Sequence, residues 1–161
     1  MSNSHPLLFR LYVTSQKSGQ LVAAALAGTG VASEDAPLLS ALDHHGPQTP
    51  TELARRLGVG ASTLSYRLKA LEARGVVSRA PNPGDRRSWF VDLTPEGRSR
   101  WQKIVPRFAE SLRAAERRIA TPHDDVAAIL AEIGQAVDDE LRARRTAGAG
   151  GTDDGRTAPN A

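Results

Sequence analysis

Residues 49–97 read "TPTELARRLGVGASTLSYRLKALEARGVVSRAPNPGDRRSWFVDLTPEG", and this stretch decides the fold. Its opening, Thr49 to Glu52, has the form of a capping box. Thr49 caps, Pro50 takes the first helical position and Glu52 reaches back to the cap. The helix so opened covers about 50–57 and ends at Gly58; "LGVGAS" then leads into a second helix over about 61–74. Two short helices joined by a glycine-bearing turn, the second one basic, predict a helix-turn-helix.

At about 100° per residue, Leu64, Leu68 and Leu71 share one face of the second helix and point to a core. Ser62, Tyr66, Lys69 and Ala73 fall opposite, flanked by Thr63 and Ser65. The outward N-terminal half thus offers hydroxyls and no acid, a surface able to approach base edges and phosphates. An ordinary solvated helix face is the bland alternative. Arg67 projects toward the core-side flank, where a phosphate or a structural acid is its expected partner.

Two further features tip the balance. From Arg55 to Arg87 the basic residues are Arg55, Arg56, Arg67, Lys69, Arg74, Arg79, Arg86 and Arg87, against Glu72 and Asp85. The net charge of this window exceeds the +3 of the whole chain, the clustering expected of a nucleic-acid face. Next, "VVSRA" and "WFVDL" flank a turn rich in Pro, Asn, Gly and Asp, predicting a hairpin over about 76–93. Trp89, Val91 and Leu93 share a face expected to pack beneath the second helix. Asp85 and Arg87 fall on one side of an extended tip while Arg86 points away. A helix-turn-helix followed by a basic-tipped hairpin is a winged helix.

Outward from this segment, the remaining elements are helical. Helices are expected over about 7–27, over 34–45 with Ser33 as cap, over 95–120 with Pro106 kinking or loosening it, and over 122–145. Trp101, Ile104, Val105, Phe108, Leu112 and Ile119 recur at helical spacing, as do Val126, Ile129, Leu130, Ile133, Val137 and Leu141. Such long apolar stripes, with Leu7, Leu8, Leu11 and Tyr12 at the start, suit a dimerisation bundle better than a monomeric core. The expected class is mainly α with a small β-hairpin wing. The divisions are 1–32, an N-terminal dimerisation helix; 33–97, a winged helix-turn-helix; 98–145, C-terminal dimerisation helices; and 146–161, a disordered tail.

At 161 residues the chain suits one domain, and it contains no cysteine, which excludes disulfides and thiol-based sensing. No apolar run approaches the roughly 20 residues of a membrane span. Arg10 and Lys17 before "LVAAALAGTGVAS" imitate a signal peptide, but the basic segment is itself apolar and Gly28 and Gly30 interrupt the run, so a first helix is the expected reading.

The stretch from Thr49 to Gly97 resembles the MarR family of bacterial transcriptional regulators, and the six-helix order extends the likeness to about residues 7–145. The resemblance implies an obligate homodimer built by the terminal helices, with two winged helices entering successive major grooves of a pseudo-palindromic operator. The family's wing motif, Asp-x-Arg followed by a hydrophobic strand and "LT", is met by Asp85, Arg87, Leu93 and Thr94. Carried across, Arg87 would enter the minor groove, Asp85 would orient it and Arg86 would lie against phosphate. Ser62, Thr63, Ser65, Tyr66 and Lys69 would form the recognition-helix surface; Tyr66 stands where an arginine is frequent in the family. Many relatives are released from DNA by a small, often phenolic or anionic, ligand. Phe9, Tyr12, His44, His45 and Trp101 are candidates to line such a cleft, with a core or helix-end role as the plainer alternative.

A metal site from Asp43, His44, His45 and His123 is not expected, because adjacent histidines at a helix end lack the i, i+4 spacing. Nor is a cofactor or an enzyme, since the chain has no glycine-rich phosphate loop, nucleophile elbow or paired His-carboxylate spacing. The expected function is a cytoplasmic, bacterial, homodimeric regulator of transcription, with repression the favoured sign. Its partners are double-stranded DNA, a second copy and a small aromatic or anionic effector. A winged helix for protein or RNA contact is the alternative.

Overall fold

The capping box at Thr49 forms as its sequence dictates. The Thr49 hydroxyl accepts from the Glu52 N–H at 3.3 Å, and the Glu52 carboxylate accepts from the Thr49 N–H at 2.8 Å. The backbone bond to the carboxylate, and then the Thr49 hydroxyl donating to the same carboxylate at 2.8 Å, hold the Glu52 carboxyl below the ordinary glutamate range. The computed structural model describes residues 5–85 and 87–149. In chain order these form α1 (Leu7–Leu26), α2 (Ala36–His45), α3 (Pro50–Leu57), α4 (Ala61–Ala73), β1 (Val77–Pro81), β2 (Trp89–Leu93), α5 (Pro95–Glu116) and α6 (His123–Ala149). The chain divides into two units between Glu116 and Arg117, so α6 stands in a unit of its own. No helix among the described residues is long and apolar enough to cross a membrane.

The core of the first unit is leucine-rich. Leu38, Leu39 and Leu42 of α2, Leu53 of α3, Leu64, Leu68 and Leu71 of α4, and Val91 of β2 are all fully buried. Each such side chain contributes about 1.5–3 kcal/mol relative to exposure. Gly58 ends α3 at φ 63°, the left-handed conformation that releases the chain toward α4. The strands pair antiparallel from Val77 opposite Leu93 to Pro81 opposite Trp89.

The hairpin packs largely as expected from Trp89, Val91 and Leu93. Val91 and Leu93 are buried in one core cluster with Leu64, Leu68 and Leu71 of α4, while Trp89 is only partly buried against it. Strand β2 also lies against α2, α3 and α5, and β1 meets α4. Gln48 exchanges both backbone hydrogen bonds with Val91 (3.0 and 2.8 Å) and so draws β2 toward the segment linking α2 and α3.

Other boundaries also shift. Residues 33–35 form a turn closed by the Asp35 N–H on the Ala32 carbonyl, so α2 starts at Ala36; Ser33 donates to Glu34 instead of capping. Helix α5 runs through Pro106 but ends at Glu116, short of the expected 120. Thr146 to Ala149 continue α6, whereas the sequence reading placed a disordered tail from Thr146; its remaining residues lie outside those described.

The start of α5 explains "LTPEG". The Thr94 hydroxyl donates to the Gly75 carbonyl at 2.7 Å and accepts from the Gly97 N–H at 2.9 Å, tying the helix to the end of α4. A Cβ on Gly97 would lie 2.0 Å from the Val76 carbonyl oxygen. Gly97→Ala is therefore expected to destabilise the fold by about 1–3 kcal/mol, seen as a lowered melting temperature. An unchanged melting temperature would contradict this close approach.

Candidate nucleic-acid interface

Helix α4 presents two opposed faces. Leu64, Leu68 and Leu71 are buried, while Ser62, Thr63, Ser65, Tyr66 and Lys69 are all exposed. Tyr66 is 78% exposed. The five residues expected from the sequence thus share one solvent-facing surface, and the only ionic group among them is Lys69.

The basic window is less free than its count suggests. Arg67 donates to the Glu34 backbone carbonyl at 2.8 Å, so its partner is neither a phosphate nor an acid but a structural carbonyl. Arg74 donates to the Gly30 carbonyl at 2.7 Å and lies 3.7 Å from the Asp35 carboxylate. Burial raises the Asp35 pKa, opposed by the charges of Arg74 and Arg67. Arg79 pairs with Glu72 at 3.0 Å and stacks 3.9 Å over the Trp89 ring. Arg56 donates to the Gln48 side chain at 3.0 Å and lies 3.1 Å from His45 Nε2. Among the described residues, Arg55, Lys69 and Arg87 are the basic groups of this window with no hydrogen bond or ion pair from their side chains.

The wing tip is tied by its own side chains. Asn82 Oδ1 accepts from the Gly84 N–H at 2.9 Å, and Asn82 Nδ2 donates to Ser88 Oγ at 2.7 Å. Asp85 Oδ1 accepts from the Arg87 backbone N–H at 2.9 Å, an Asx turn. The carboxylate therefore shapes the backbone that carries Arg87 and makes no ion pair with its guanidinium, unlike the side-by-side arrangement read from an extended strand. A closed turn, with the Ser88 N–H on the Asp85 carbonyl, replaces the extended tip on which that reading depended. Arg86 lies outside the described residues.

A feature missed in the sequence fixes the base of the wing. Arg98 of α5 bridges Asp43 of α2 at 3.1 Å and Asp92 of β2 at 2.9 Å. These residues are distant in sequence, and no local pattern pairs them.

The five candidate ligand residues do not converge. Trp101 is 2% exposed and packs 5.9 Å from Phe108, a core role; it also edges an open groove of about 410 Å³ with Asp43 and His44. His45 turns toward Arg56 instead, and water loss followed by the charges of Arg56 and His44 lowers its pKa. Phe9 and Tyr12 are exposed on α1, away from the groove lining. Among the described residues no cluster of His, Asp and Glu could hold a metal ion.

Residues 29–88 match the model of the MarR family. The chain is 33% identical over 92 residues to the multiple antibiotic resistance protein MarR of Salmonella typhimurium, spanning 57% of this chain and 64% of that protein. It is 37% identical over 68 residues to the transcriptional repressor NicR of Pseudomonas putida, covering 42% of this chain and 43% of NicR. Among solved structures, the M. tuberculosis transcriptional regulator MOSR in complex with DNA aligns with a TM-score of 0.73 at 24% identity, over 84% of this chain and 98% of that one. A mutant E. coli MarR complexed with operator DNA aligns with a TM-score of 0.68 at 25% identity, over 81% and 93%. Residues 29–88 are thus similar to the MarR family, and the chain that carries them has the fold of the solved MarR structures.

Proposed function

We propose that this protein is a sequence-specific DNA-binding regulator of transcription, acting as a repressor. One observation carries the reading: the outward N-terminal half of α4 is exposed, acid-free and rich in hydroxyls, beside a wing whose Arg87 side chain has no hydrogen bond or ion pair among the described residues. Hydroxyls and Lys69 suit base edges and phosphates in a major groove, and an unpaired arginine on a narrow hairpin suits a minor groove. That solved relatives of this fold were crystallised on DNA supports the reading. RNA or protein contact, the alternative from the sequence, is favoured by no feature of this surface.

The protein is proposed to bind a pseudo-palindromic operator as a homodimer. Leu7, Leu8, Phe9 and Tyr12 leave an apolar surface on α1, and Ile129, Leu130 and Leu141 leave one on α6. Apolar surface of this extent suits a second copy better than water. A small aromatic effector would seat in the groove beside Trp101. Its wall residue Asp43 is bound to Arg98, which also holds β2, giving a bound ligand a route to the wing.

On duplexes enriched from a random pool, Arg87→Ala is expected to weaken binding by about 1–3 kcal/mol in a fluorescence titration. For the intact protein the log–log salt slope should be about −0.9 per phosphate contact. Unchanged affinity in the variant, or binding indifferent to salt, would refute the reading. Asp85→Ala should speed amide exchange at Arg87 about fivefold, as loss of one hydrogen bond of about 1 kcal/mol requires, while Asp85→Asn should not. Equal effects of the two substitutions would show that the carboxylate acts by charge. Sedimentation at micromolar concentration should give a dimer; a monomer would remove the interface assigned to the terminal helices.

A further inference from the structure

On the DNA-binding reading above, we infer that Tyr66 reads the C5 methyl of a thymine in the major groove, so that α4 recognises its half-site through methyl and hydroxyl contacts and not through guanidinium–guanine pairing. Tyr66 is the most exposed large hydrophobic residue of the described chain at 78%, and it makes no hydrogen bond or ring contact within it. It sits in the N-terminal half of α4, the part of a recognition helix that meets base edges. With no cation or ring against it, an aromatic ring gains most from contact where it meets apolar surface. The thymine methyl is the apolar group that the major-groove edges of the four bases present.

The groups around Tyr66 exclude the commoner alternative. Arginine gripping guanine is the most frequent specific contact, but the one arginine within α4, Arg67, is bonded to the Glu34 carbonyl on the flank of the helix. Ser62, Thr63 and Ser65 carry short hydroxyls, which contact any base, and Lys69 is a point charge. Glu34 lines the groove on the other side of Tyr66, together with Thr63, Arg67 and Ala70. Its carboxyl is held below the ordinary glutamate range by its own backbone N–H and then by Ser33, so it carries a negative charge that repels phosphate. The ring is therefore left facing bases.

The test uses full-length protein and duplexes of about 30 base pairs, enough for two half-sites one helical turn apart, enriched from a random pool. Each enriched duplex is then remade with deoxyuridine in place of thymidine, which removes the methyl and leaves pairing intact. Binding by the intact protein should weaken about fourfold per half-site, the loss expected for one buried methyl. Tyr66→Phe should keep that sensitivity. Tyr66→Ala, a substitution at an exposed helical position, should bind the two duplexes equally. Equal affinity of the intact protein for both duplexes would overturn the inference, as would a Tyr66→Ala protein that still discriminates between them. Failure of the DNA-binding reading has another signature: no duplex is enriched, and this inference falls with it. Failure of the inference alone leaves tight, Arg87-dependent binding that ignores the methyl.

Discussion

The burial of Leu64, Leu68 and Leu71 is the constraint on which the outward surface depends. With these side chains fully buried against α2, α3 and the hairpin, the rotation of α4 about its own axis is fixed. A helix with a 3.6-residue period cannot hide that face without presenting Ser62, Tyr66 and Lys69 to solvent. Turning the helix to bury any of them would expose leucine at about 1.5–3 kcal/mol apiece. The orientation of this outward face is thus set by the buried residues on the opposite side of the helix.

The wing is fixed by a different kind of force. Val91 supplies apolar burial, but direction comes from paired polar groups: the Gln48 backbone on Val91 and the Arg98 bridge from Asp43 to Asp92. Both are partly or wholly shielded from water, where such bonds are stronger than at an open surface. Among the described residues, the tip beyond them is held by the Asn82 and Asp85 turns and by their bonds to Ser88. The base of the hairpin is thus tied to the core, while its tip is organised locally.

Local signals in the sequence located most of this. The Thr49–Glu52 box and Gly58 define α3 to the residue, because capping chemistry acts within a few positions. The leucine spacing of α4 named its inner and outer faces correctly. What stayed hidden depends on contacts between distant segments: the Gln48 bridge, the Arg98 clamp and the diversion of Arg67 and Arg74 to carbonyls in the segment linking α1 and α2. A count of charges cannot reveal which arginines are already bonded, and four of the window's cations are. Asp85 illustrates the limit in one residue. Its link to Arg87 was legible from their spacing, but the bond goes to the backbone N–H because the tip is a closed turn and not an extended strand.

The central claim is that the solvent face of α4 and the wing tip together form the nucleic-acid surface. An NMR titration of the isotope-labelled protein with an enriched duplex tests this most directly, residue by residue. The expected shifts concentrate on the amides of Ser62, Ser65, Tyr66, Lys69 and Arg87, with Leu64 and Leu68 moving little. Shifts centred on α5 and the groove beside Trp101, with α4 and the wing unmoved, would contradict it.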